Sequence, residues 1–142
     1  MTQTELIVLA IQKAKEHGLS DTLVCAVCEQ ESSWNPWAIR FEYEFLMRYV
    51  VPLPNLSPTE RHARAFSWGL MQLMGQVARE HGFANTYLAS LCDPATGLDW
   101  GCIHLAGRLK AAGGDVHAGL QLWNGGGNPN YADEVMARMK KY

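Results

Sequence analysis

Glu31 is the residue of this chain whose position is best suited to chemistry. It ends a run with helical apolar spacing, Leu23, Val24, Val27 and Cys28, and Pro36 disfavours helical geometry at Asn35, so a mostly buried helix is predicted to stop here. Glu31 follows Val24 by seven residues, Val27 by four and Cys28 by three, which puts its carboxylate on the helix's apolar face. A carboxylate there meets the negative end of the helix dipole and loses water, and both effects raise its pKa. A carboxyl that holds its proton near neutral pH is a general acid. The plain alternative is an ordinary helix-end glutamate turned out to water.

Two other stretches have a related character. Gly69-Leu70-Met71-Gln72-Leu73-Met74 is an apolar run with one glutamine and a flanking glycine, and Trp123-Asn124-Gly125-Gly126 is an apparent helix end. Alone, each reads as core, with Gln72 finding a backbone partner. Together with Glu31 they supply polar groups and bare backbone beside large apolar side chains, as a saccharide groove requires. Trp34, Trp37, Trp68, Trp100 and Trp123 also read as packing residues, Trp100 above all.

The elements that must position these stretches read as helices. Thr4 is expected to cap a first helix with Leu6, Ile7, Ala10, Ile11 and Ala14 on one stripe, leaving at His17-Gly18, and Asp21 to cap the Glu31 helix. The aromatic segment Trp37 to Val51 fits a short helix with Phe41, Phe45 and Tyr49 in register. Ser57-Pro58-Thr59-Glu60 is a capping box opening a helix through Phe66. The run from Ser67 is expected to continue helically to His81-Gly82. Asp93-Pro94 opens a helix carrying Leu98, Cys102, Leu105 and Leu109 and ended by Gly113-Gly114; Asp115 caps the next, which runs into Trp123; Tyr131 to Lys141 form the last. No alternating pattern competes, and there are no repeats or linkers. The expected fold class is a compact all-α domain spanning residues 1–142, expected as a monomer.

Composition narrows the partners. A 142-residue chain with 48% hydrophobic and 18% charged residues is large enough for one core. A net charge of −2, with its only cationic cluster at Arg138, Lys140 and Lys141, offers no field for nucleic acid. No apolar run is long enough for stable membrane insertion, and no export signal is recognisable at the N-terminus, so synthesis in the cytoplasm is expected. Cys25, Cys28, Cys92 and Cys102 read as buried free thiols by default, with a disulfide at Cys92 or Cys102 left open; Cys25-x-x-Cys28 lacks the partners of a zinc site. His62, His81, His104 and His117 form no nucleophile or metal arrangement, and no cofactor is expected.

Glu31-Ser32, an aromatic at Trp34 with Asn35-Pro36, then Gly69-Leu-Met-Gln-Leu-Met74, then Trp123-Asn124-x-Gly126 occur in that order. Here the sequence resembles the lytic transglycosylase domain family, related to goose-type lysozyme, over about residues 20 to 140, and looks most like the versions carried by bacteriophages. The resemblance implies a lysozyme-like helical domain with a glycan groove and a peptidoglycan-cleaving enzyme, acting on the cell wall as an endolysin or wall-penetrating lysin, with Glu31 as the single acid/base and Ser32 as the small hydroxyl residue after it. It implies groove roles for Gln72, Met74, Trp123, Asn124 and Tyr131. Three departures stand out: Trp123 replaces a tyrosine whose phenol could orient the glutamate, Gly75 replaces a proline, and the link from Arg40 to Phe66 is longer, adding Glu42, Glu44 and Glu60. Most glycosidases use two carboxylates. This family is similar to those using one, in which the 2-acetamido group of N-acetylmuramic acid assists and the sugar's own C6 hydroxyl attacks to give a 1,6-anhydro end. The alternatives are a muramidase or chitinase in which Glu42 or Glu44 positions water, and a non-catalytic glycan-binding module.

Overall fold

The computed structural model describes residues 1–142. Two helices come first, α1 (Gln3–Glu16) and α2 (Asp21–Ser32), followed by a strand, β1 (Ile39–Phe41). The short helix α3 (Tyr43–Phe45) runs straight into a π-helical turn, Leu46–Val50. Then come α4 (Pro58–Arg64), β2 (Phe66–Trp68), β3 (Leu73–Met74) and α5 (Gly75–Glu80). A 3-10 turn, Leu88–Cys92, leads into α6 (Pro94–Ala111), α7 (Val116–Asn124) and α8 (Tyr131–Met139). The chain is predominantly helical, as expected, with one small antiparallel sheet in the order β1-β2-β3.

That sheet corrects the expected helix from Ser67 to His81. Gly69 and Gln72 both adopt left-handed backbone, at φ 71° and 51°, and a helix tolerates neither. Residues 69–72 therefore turn the chain between β2 and β3, pairing Ser67 with Met74 and Trp68 with Leu73. Helix resumes at Gly75. The aromatic segment is corrected in the same way: Phe41 lies in β1, opposite Phe66 of β2, and only Phe45 and Tyr49 remain on helical backbone. Phe66 is likewise in a strand, since α4 ends at Arg64. Two caps also shift. Thr2, in a reciprocal pair with Glu5, caps α1 in place of Thr4, and Ser20 caps α2 in place of Asp21. Ser57, Asp93 and Asp115 cap the helices assigned to them.

The main core lies between α1, α2, α6, α7 and α8 and holds Leu23, Val24, Val27, Cys28, Leu98, Leu105, Leu120 and Val135. All four cysteines are buried as free thiols. A smaller cluster around Leu73, Phe83, Leu88 and Leu91 lies beneath the hairpin, with Trp100 packed against it edge-on to Phe83. The hairpin turn inserts Leu70 and Met71 into the main core, with Met71 against Gly101 of α6, and the two bodies also close on one carbonyl. Gly69 of the hairpin and Gly97 of α6 both press on Leu91 O, where a Cβ would come within 2.5 and 2.3 Å respectively. Together these contacts hold the hairpin against α6. Gly97→Ala should force backbone apart and cost about 1–3 kcal/mol, visible as a lower melting temperature; an unchanged melting temperature would show that the joint is loose.

Candidate active site

α2 delivers Glu31 to the floor of a groove. Ser33 and Trp34 follow at φ 50° and 63°, two consecutive left-handed residues that reverse the chain. They send Trp34 into the core, where its Nε1–H donates to Tyr142 Oη at 2.9 Å. Trp34 therefore packs the back of the site and does not cover the carboxyl. Glu29, two residues earlier, accepts from Arg138 Nη1 at 2.7 Å, and Gln30 accepts from Arg138 Nε at 2.7 Å. These bonds clamp the end of α2 to α8, which places Tyr131 at the N-terminus of α8 beside Glu31.

Two donors meet one oxygen there. Tyr131 Oη donates to Glu31 Oε1 at 2.6 Å, and Trp123 Nε1 donates to the same atom at 3.1 Å. Glu31 Oε2 receives no donor from the protein and is the oxygen free to act on a ligand. Burial raises the Glu31 pKa above the ordinary glutamate value, against the opposing pull of the two hydrogen bonds and, more weakly, of the Arg40 charge. Tyr131 is itself buried, and that desolvation together with the neighbouring carboxylate pushes its pKa far up, so the phenol remains a donor. The indole N–H of Trp123 thus orients Glu31 where a tyrosine phenol is absent.

The groove has a volume of about 740 Å³. Glu31, Gln72, Met74, Trp123 and Asn124 all line it, and so does Glu42. Arg40, Ser67 and Met74 form a cross-strand row along one wall, in register on β1, β2 and β3. Gln72 Nε2 donates to Ala38 O at 2.9 Å and Gly69 O at 3.0 Å, so its amide nitrogen holds the turn and only its oxygen is left for a ligand. Ser67 Oγ donates to Met74 Sδ at 3.0 Å, which holds the thioether in the wall. Asn124 Nδ2 donates to Asn128 O at 3.3 Å, and Gly125 closes α7 at φ 75°.

Three residues expected in the groove do not line it: Tyr131 is buried behind Glu31 and reaches only that carboxyl, and Ser32 and Glu44 lie elsewhere. Ser32 donates its hydroxyl to Cys28 O of its own helix at 3.0 Å and does not line the groove. Glu44 is exposed on α3 and is not among the lining residues. Glu42 does reach the groove, paired with Arg40 Nε at 2.9 Å. Glu60 is held away from it by Arg64 and Arg79. Residues the sequence did not single out complete the lining, including Arg40, Ser67 and His104. His104 packs against Trp123 with ring centroids 5.3 Å apart and shares a 2.9 Å hydrogen bond with His81. Its pKa is lowered to about 4, chiefly by burial and then by the His81 and Arg108 charges, so at neutral pH it is an uncharged ring. Only its position one helix over from Trp123 could have indicated it, and that depends on packing. No cluster of His, Cys, Asp and Glu suited to a metal ion is found.

A family model for the transglycosylase SLT domain matches residues 8–141. The chain belongs to that family, whose members are lytic transglycosylases acting on peptidoglycan. Comparison with curated proteins and with solved structures yields no match. No helix is long and apolar enough to cross a membrane.

Proposed function

We propose that the chain is a peptidoglycan-cleaving lytic transglycosylase acting on the MurNAc-β-1,4-GlcNAc bond, with Glu31 as the only general acid/base. The observation that carries this reading is the Glu31 carboxyl at the groove floor, with two donors on Oε1 and a free Oε2. In the first half of the reaction Oε2 gives its proton to the glycosidic oxygen as the C1–O bond breaks. The acetamido oxygen of the muramyl ring covers C1. In the second half the ring's C6 hydroxyl attacks C1, displaces the acetamido oxygen and returns its proton to Glu31, leaving a 1,6-anhydro end. A single carboxyl whose pKa is raised toward the working range suits both halves.

Gln72, Met74, Trp123 and Asn124 are assigned to substrate contact, and Tyr131 to holding Glu31. The likeness of the motifs to phage-borne versions supports use as an endolysin or wall-penetrating lysin. A hydrolase is the second reading, favoured by Glu42 alone, because it is the other carboxylate in the groove. Its ion pair with Arg40 commits one of its oxygens and leaves one to position a water. Purified cell-wall sacculi should lose turbidity on incubation with the protein; sacculi that stay turbid while the protein binds them would point instead to a non-catalytic glycan-binding module.

A further inference from the structure

The segment from Trp37 to Val51 exposes Trp37, Ile39, Phe41, Tyr43, Met47, Tyr49 and Val51, more large apolar side chains than any other stretch of the surface. Within it, two rings belong to the groove. Phe45 and Tyr49 both line it, with centroids 5.0 Å apart and planes at 47°. Tyr49 is 50% exposed.

Resting on the glycan-cleaving reading, we propose that Phe45 and Tyr49 form a stacking subsite for a pyranose ring of the glycan strand, separate from the ring on which Glu31 acts. The continuity of the two rings with the Glu31 groove identifies the occupant. The axial C–H faces of a pyranose are apolar and weakly positive, and they complement an aromatic face. Such a platform must be held in place, and backbone, arginine and core contacts hold this one. The π turn is closed by Val51 N donating to Leu46 O at 2.8 Å, a five-residue step that is rare and frequently found at functional sites. Leu46 and Val50 are buried with Ala65; Phe45 packs partly against that cluster while also lining the groove, and Tyr49 lines the groove as the more exposed ring. Arg61 Nη1 donates to Val50 O, Val51 O and Leu53 O at 2.9, 2.9 and 3.1 Å and pins the end of the turn to α4. Arg48 places its guanidinium 5.1 Å from the Tyr49 centroid, steadying that ring and offering donors to sugar hydroxyls at the rim.

The test is binding of undigested glycan strands, freed of peptides by amidase and sorted by length, to the full chain carrying Glu31→Gln. Tyr49→Ala and Phe45→Ala, each added to that background, should weaken binding of long strands about tenfold, while binding of strands too short to reach from Glu31 to the turn changes little. Tyr49→Phe should restore long-strand binding, because it keeps the ring. Thermal melting of each variant separates lost stacking from lost folding. Equal affinity of parent and alanine variants for long strands, or an equal loss for long and short strands, would overturn the subsite and leave the cleavage reading intact. A Glu31→Gln parent that binds no strand of any length, from a wild-type chain that clears no wall, would overturn both.

Discussion

Glu31→Gln is expected to fold and to bind glycan, yet to lose wall-clearing activity by at least ~10²-fold, the usual cost of removing a positioned acid/base. The amide oxygen can still accept from Tyr131 and Trp123, so the hydrogen bonds that tie α2 to α7 and α8 survive the change. What disappears is the transferable proton. The variant also carries a stability signature. Because burial raises the Glu31 pKa in the folded state, the carboxyl favours folding at low pH, and this contribution is lost as pH rises through the raised value. Glutamine does not ionise, so the stability of the variant relative to the parent should improve as pH rises through that window. Parallel clearing assays and thermal melts across pH check both parts. A variant that clears wall at the parental rate would remove Glu31 from the chemistry.

Tyr131→Phe should lower the maximal rate about tenfold and move the alkaline limb of the pH profile upward. The phenol is the shorter of the two donors to Glu31, and a hydrogen bond to a charged group contributes about 1.5 kcal/mol or more. The bond favours the ionised carboxyl, so it holds the Glu31 pKa below what burial alone would give. Removing it lets that pKa climb, and the acid form persists to higher pH. The rate falls because only the indole N–H is left to fix the carboxyl's orientation. Rate against pH for parent and variant reads both effects; a limb that moves down, or does not move, would mean that the Tyr131 bond does not govern Glu31.

The parts of the site legible in the sequence were those set by local periodicity. Seven-, four- and three-residue spacing from Val24, Val27 and Cys28, with Pro36 as the stop, was enough to put Glu31 at a buried helix end. The helices after Asp93 and Asp115 could be read because proline and aspartate occur at their starts. The Tyr131 bond was not legible, since it joins residues 100 positions apart and depends on how α8 docks against α2. The β2–β3 hairpin was missed because Leu70-Met71-Gln72-Leu73 is an apolar run without alternation, which periodicity cannot distinguish from a helix. What decides its shape is the pressure of Leu91 O on Gly69 and the left-handed turn at Gln72, both tertiary facts. The caps at Thr2 and Ser20 differ from those expected because Thr4 and Asp21, close by, are equally good capping types.

The central claim is that one carboxyl performs the whole reaction, and the mass of the cut ends tests it most directly. Muropeptides released from purified wall should carry 1,6-anhydro ends, each lighter by one water than a reducing end, and Glu42→Gln should leave that pattern unchanged. Predominantly reducing ends, suppressed by Glu42→Gln, would contradict the account and assign the chain to a hydrolase that uses two carboxylates.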